Sequence, residues 1–354
     1  MGEKTSANRI QELDALRGIA ALMVVLFHYN SILKEKGFFL LKLGVTGVDL
    51  FFMISGFVIF MSLRKIKSSD EFIINRFSRL YPTYWTCVTI TFLLSIYIGY
   101  HDYIEINFMQ YLANMTMFQL YFKKANIDGT YWTMIVEMLF YITILILYKF
   151  KSLKYLNLIG LSSCIFILFI TRFYSNTSIV RLIINYFPLS QFLPLFFSGI
   201  LFYKIYRAQK HILINYLLIA FCLISQIVLF DLTGVSRYFL SIWSYSSMLL
   251  LYFILFYLFI NNKLIFIVSN ITIFLGKISF ALYLIHEYIS VEIILPYLTK
   301  QLNINFWISA IFITLPLVIL LATLITYYIE IPLGKGMKQK LRSLANHPRK
   351  PILL

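Results

Sequence analysis

Charge is scarce in this sequence, and acidic charge most of all. Only 13% of its 354 residues are charged, and 15 of them are Asp or Glu. A soluble domain carries roughly a quarter charged residues. With 60% of residues hydrophobic, no soluble domain of this size can bury the apolar fraction, so most of the chain belongs in a bilayer. Cysteine is nearly absent. Cys87, Cys164 and Cys222 fall inside apolar runs without metal-ligand spacing, which argues against a disulfide framework and points to no metal. No convincing small-residue cleavage site follows the first apolar run, and Asp14 and Arg17 interrupt its start, so it does not read as a cleavable signal. Repeats and low-complexity tracts are also missing. Residues 1–354 read as a single integral-membrane domain without a soluble extracytoplasmic one.

Apolar runs of helix-spanning length take up the chain instead. Ten can be drawn, over residues 14–33, 44–63, 82–100, 131–148, 156–171, 191–206, 212–230, 238–260, 270–290 and 306–329. They predict an all-α fold, a polytopic membrane helix bundle of about ten transmembrane helices with both termini on one side. Loops on that side carry 20 Lys and Arg residues against 9 in the opposite loops, which makes both termini cytoplasmic. The net charge of +16 is therefore a matter of membrane orientation and not of nucleic acid, because the basic residues sit in short loops and not on one stripe. The half-apolar stretch over residues 101–130 reads as a re-entrant or interfacial piece on the outer face. The tail after Pro332 is too short to fold alone.

A few polar side chains then need a reason to be where they are. Arg17 and His28 stand eleven residues apart in "LDALRGIAALMVVLFHY". At about 100° per residue they return to one helical face, with Asp14 one turn before Arg17. Hydrocarbon cannot solvate such a stripe, so it faces protein or water. Two readings fit it: an Asp14–Arg17 ion pair with His28 bonded to a neighbouring helix, or a base and a cation lining one cavity. Arg76 and Arg79 in "NRFSRLYP" share a face at the cytoplasmic boundary. They either anchor the helix or grip phosphates with paired guanidiniums, and Pro82 fits the first turn of the third span.

In "GVTGVDLFFMISGF" the small residues Gly44, Gly47, Ser55 and Gly56 suit close helix packing, whereas Asp49 should face a polar cavity or a basic partner such as Lys42. Glu137, inside "TYWTMIVEMLFY", must be paired, protonated or facing water. His286 and Glu287 lie deep in the ninth run. Projecting about 100° apart, they are not expected to face the same neighbour. Glu330 precedes a Pro-Gly stop and reads as a cap or anchor.

Taken in order, these stretches resemble the acyltransferase-3 family of integral-membrane acyltransferases, which includes surface-polysaccharide O-acetylases. "LDALRGIAALMVVLFHY" is similar to the opening signature of that family, its Arg-x10-His pair falling on Arg17 and His28. "GVDLFFMISGFVI" resembles the second-span motif, and "FIINRFSRLYPTYW" the Arg-x-x-Arg motif on Arg76 and Arg79. "WTMIVEMLFY", opening on Trp132, resembles the motif that places Glu137, with Met134 for the usual Leu. "LGKISFALYLIHE" resembles a late motif that matches His286, with Phe280 for Tyr. The resemblance implies ten or eleven spans, a cytoplasmic acyl-CoA donor and an acceptor at the outer face. It also implies that Arg17 and His28 are required for transfer and that Arg76 and Arg79 help hold the donor.

Motifs and resemblance together point to a transmembrane O-acyltransferase, foremost an O-acetyltransferase, in a bacterial plasma (inner) membrane. His28, Arg17 and Glu137 are the candidate catalytic residues, and Arg76, Arg79, Ser55 and Gly56 the candidate donor-binding ones. Asp14, Asp49, Trp132 and His286 are further candidates. Acyl-CoA (acetyl-CoA) is expected as co-substrate, with no tightly bound cofactor. The other expected partners are membrane lipids and an extracytoplasmic glycan or lipid-linked acceptor. His28 either deprotonates the acceptor hydroxyl or carries the acyl group itself. Arg17, about 16 Å from it along the helix, more plausibly grips the donor. Glu137 either orients an imidazole or is a paired structural acid. A transporter or flippase for a lipid-linked sugar is the rival. It predicts inverted repeats, and no self-similarity between halves is visible.

Overall fold

The structure, a computed structural model, describes residues 10–33, 37–98, 106–174, 177–207, 211–232 and 236–346. Every regular element among the described residues is helical. In chain order the main helices are α1 (Gln11–Ser31), α2 (Gly47–Leu63), α3 (Ser69–Ile98), α4 (Phe108–Met115), α5 (Trp132–Lys149), α6 (Leu156–Tyr174) and α7 (Ser178–Tyr186). They continue with α8 (Leu193–Tyr206), α9 (Ile212–Val228), α10 (Ile242–Ile260), α11 (Asn270–Glu287), α12 (Leu315–Ile325) and α13 (Ile331–Asn346). Helix lies over each of the ten apolar runs. Six stretches are long and apolar enough to cross a bilayer: Phe39–Leu63, Gly129–Lys149, Ser152–Tyr174, Ile242–Ile260, Asn270–Gln301 and Phe306–Ala345. The protein is thus a multi-pass membrane protein. α8 and α9 are apolar but shorter. α1 and α3 hold the acids and arginines discussed below. Part of the loop charge, including Lys4, Arg9, Lys34, Lys36 and Lys210, lies outside the described residues.

Between apolar helices in lipid, burial supplies little drive, so close backbone contact and small residues do the joining. The tightest pair is α1 with α11. A Cβ on Gly18 would stand 2.6 Å from the Thr272 carbonyl oxygen, and Gly276 lies directly on the Asp14 backbone. α2 and α8 use the same device, with Gly56 against the Phe196 backbone and Gly199 against that of Met53. Around these contacts a continuous apolar core runs through the long helices up to α12.

Proline misleads the sequence reading twice. Pro82 does not open the third span. α3 starts at Ser69, where Ser68 accepts from the Glu71 amide at 3.1 Å and two acids occupy the first turn, so Pro82 lies in the helix interior. A proline there cannot donate to the carbonyl of Ser78. Gly334 of α13 packs on that oxygen, where an added Cβ would stand 2.9 Å away. Pro332 does not stop the chain either. Wide turns over Thr326–Glu330 lead straight into α13, so Pro332 lies inside one helical run over Phe306–Ala345. The tail is therefore a helix docked on α3, tied at its surface by Arg342 to Glu71 at 2.6 Å.

α4, at eight residues, is too short to cross, and it lies against α3. Trp85 donates to the Met115 carbonyl at 2.9 Å and Tyr81 to that of Thr116 at 3.0 Å. Buried Asn114 donates to the Ala125 carbonyl at 2.9 Å, which closes the loop that follows. The stretch buries Gln110, Asn114 and Gln119 and leaves Phe108, Met109 and Phe122 exposed. It delivers Asp128 and Gly129 to the start of α5.

Candidate active site

His28 near the end of α1 meets His286 near the end of α11. The imidazoles are 3.0 Å apart, His28 Nδ1 to His286 Nε2, and His286 is fully buried. The protons can be assigned from the partners. His286 Nδ1 lies 2.9 Å from the Tyr283 carbonyl and 3.1 Å from that of Leu282, and carbonyls only accept, so Nδ1 carries the hydrogen. Neutral His286 therefore offers Nε2 as an acceptor, and His28 Nδ1 must donate to it, sharing that hydrogen with the Val24 carbonyl at 2.9 Å. His28 Nε2 is left with a bare lone pair, 3.6 Å from Glu287 Oε2.

Glu287 is held by the loop ahead of α5. Gly129 has no side chain, and a Cβ there would strike the Glu287 carboxylate at 2.5 Å. Beside it, Asp128 accepts from the Thr130 amide at 2.8 Å and the Tyr288 amide at 3.0 Å. Burial first, and then the neighbouring Glu287, push the Asp128 carboxyl up to about 7. A cavity of about 290 Å³ opens over His28, walled by Asp49, Trp132, Phe239, Tyr283 and Glu287. Asp49 is buried and accepts from the Tyr245 hydroxyl at 3.0 Å.

A second, narrower cavity of about 90 Å³ lies toward the other end of α1, lined by Arg17, Arg76, Arg79, Ser55, Glu137 and Tyr141. Three guanidiniums thus face two carboxylates, since Asp14 sits 3.9 Å from Arg17. Glu137 accepts from Ser55 at 3.0 Å and from the Tyr141 hydroxyl. The Arg76 guanidinium lies 5.9 Å from the centres of the Phe72 and Tyr141 rings, and its Nε is buried without a hydrogen bond. Such a cluster favours an anion with several oxygens. Val48 and Tyr283 belong to the walls of both cavities, so a neck of two side chains separates the cations from the imidazoles.

The predicted residues are sorted by this arrangement. Arg17, Arg76, Arg79, Ser55 and Glu137 meet in one chamber; His28, Asp49 and Trp132 line the other, with His286 behind His28. Glu137 lines the arginine chamber and not the one that holds His28. Gly56 lines neither chamber, because its bare Cα is taken up by the contact with Phe196. The expectation that His286 and Glu287 cannot face one neighbour is corrected. They do diverge, but the imidazole of His28 enters between them and presents a different nitrogen to each. Asp128, Tyr141 and Tyr283 were not selected from sequence, and Glu287 was noted there as a buried acid but given no role in the site. A carboxylate inside "LYLIHEYIS" was the one available signal.

Comparison with known proteins places the chain in a family. Residues 10–327 match the acyltransferase-3 family, described as "Acyltransferase domain". A protein of Acidianus two-tailed virus, named "Putative acetyltransferase ORF330", is 26% identical over 282 residues, covering 77% of this chain and 80% of the viral protein. No solved structure matches the chain significantly.

Proposed function

The chain belongs to the acyltransferase-3 family and is an acyltransferase, and from that premise we propose that it moves an acetyl group from cytoplasmic acetyl-CoA to a hydroxyl of an extracytoplasmic glycan or lipid-linked sugar. The observation that carries this reading is the pair of chambers sharing Val48 and Tyr283, one cationic and one holding a bare imidazole nitrogen. The donor's diphosphate lies among Arg17, Arg76 and Arg79. Its pantetheine arm passes Tyr283 and brings the thioester to His28.

His28 Nε2 then takes the proton of the acceptor hydroxyl, and the freed oxygen attacks the thioester carbonyl. The carbon–sulfur bond breaks, and the leaving thiolate takes the proton back from the imidazolium, giving ester and CoA. Glu287, at 3.6 Å, stabilises the imidazolium in between. His286 is a positioning residue: it fixes the tautomer that leaves Nε2 bare. In this reading the chain crosses a bacterial inner membrane ten times with both termini cytoplasmic, so Arg76 faces the donor's compartment.

Membranes containing the protein and labelled acetyl-CoA should place label covalently on the surface glycan, with none when His28 is Ala. Label that appears equally in the His28→Ala membranes overturns the reading. Reporter fusions after residue 68 and at the C-terminus should read cytoplasmic, and those near residues 102 and 175 extracytoplasmic. An extracytoplasmic C-terminus would put the arginines on the wrong side.

A further inference from the structure

A third cavity, of about 540 Å³, opens where α13 crosses α3 beside the end of α2. Its wall holds Lys65, Arg76, Arg79, Lys335, Lys338 and Arg342, against the acids Glu71 and Glu330. On α13, Lys335 and Lys338 lie one turn apart on a single face, and Arg342 follows one turn later. Arg342 is engaged by Glu71 at 2.6 Å. Among the described residues no ion pair involves Lys65, Lys335 or Lys338, so three ammonium groups face this cup without a carboxylate of their own.

The cup is the outer end of the route already described. Arg76 and Arg79 stand in its wall and also in the wall of the inner guanidinium chamber. An anion bound at those two arginines therefore continues outward among the lysines. A phosphatidylglycerol headgroup has a single phosphate to offer, whereas the nucleotide of coenzyme A has a diphosphate and, across the ribose, a separate 3′-phosphate. The two groups of cations match those two groups of anions. α13 also lies beyond residue 327, where the match to the family ends, and Gly334 seats it on Ser78.

We propose that the cup between α3 and α13 holds the donor's 3′-phosphate, with Lys335 and Lys338 as its ligands and Lys65 facing them. The inference rests on the acyl-CoA reading above. It gives α13 a binding role that membrane orientation of a basic tail does not require.

The test is calorimetric titration of CoA and of 3′-dephospho-CoA into the full chain, as wild type and as Lys335→Gln/Lys338→Gln, in nanodiscs of phosphatidylcholine with and without phosphatidylglycerol. Wild type should bind CoA about tenfold tighter than 3′-dephospho-CoA, as expected for charge-assisted bonds to one phosphate. The double variant should lose that ratio and keep its affinity for 3′-dephospho-CoA within about twofold, which also shows it to be folded. Equal weakening of both nucleotides in the variant overturns the proposal. A wild-type ratio near one, with the variant altered only in phosphatidylglycerol discs, overturns it too and assigns the cup to lipid headgroups. Binding of neither nucleotide by wild type removes the acyl-CoA reading itself, and the proposal with it.

Discussion

The cationic chamber takes its arginines from α1 and α3, near each other in sequence, and balances them with Glu137 from α5. The imidazole chamber joins α1 to α11, across 258 residues, and depends on a loop ahead of α5 to hold Glu287. In the first, function follows from charge, and any geometry that gathers three guanidiniums favours phosphate. In the second, function follows from which nitrogen has a hydrogen, and that is set by two backbone carbonyls and a buried histidine. In the proposed function, binding belongs to one end of α1 and chemistry to the other, with Tyr283 between.

The largest effect that would break this division is on chemistry alone. Removing a general base costs about 10²–10⁴-fold in rate, so His28→Gln should reduce transfer to the glycan by at least that factor at normal protein level. A variant that still acetylates would reduce the histidine pair to packing. Next comes donor affinity. Arg76→Ala or Arg79→Ala should weaken CoA binding by about 1.5–3 kcal/mol each. Arg79→Lys should recover only part, because an ammonium lacks the guanidinium fork. Unchanged affinity in both would leave the arginines as membrane anchors.

The join between the chambers is sharpened by Gly276→Ala, whose new methyl collides with the Asp14 backbone. Overpacking of this kind costs about 1–3 kcal/mol, read as a lower unfolding temperature in detergent together with losses at both ends of α1. An unshifted transition would mean that α1 and α11 are not pressed together. The smallest effect belongs to Ser55→Ala, which takes one hydrogen bond from Glu137 and leaves Tyr141 in place. About 0.5–1.5 kcal/mol of stability should go, with transfer at saturating donor unaltered.

Sequence made the cationic chamber legible, because Arg17, Arg76 and Arg79 announce themselves by spacing on helices whose faces can be counted. It made His28 and His286 visible as residues but not as a pair. Their meeting depends on the glycine contacts of Gly18 and Gly276, and nothing local says which helices will touch. Asp128 was hidden, and Glu287 visible without a role, for the same reason, since their carboxylates gain one only when the loop after α4 folds back. Pro82 and Pro332 misled because local rules treat proline as a boundary. α3 overrides that with an acidic, capped start at Ser69, and α13 continues because it is packed on α3. Gly56 looked like part of a binding surface and proved to be the contact point with α8.

The division between the chambers gives His28 the chemistry and no part in holding the donor. It is tested most directly by calorimetric titration of CoA into the purified His28→Gln protein. The dissociation constant should stay within about twofold of wild type, although transfer is lost. An affinity weakened about tenfold or more would place His28 in the donor site and contradict the division between the two chambers.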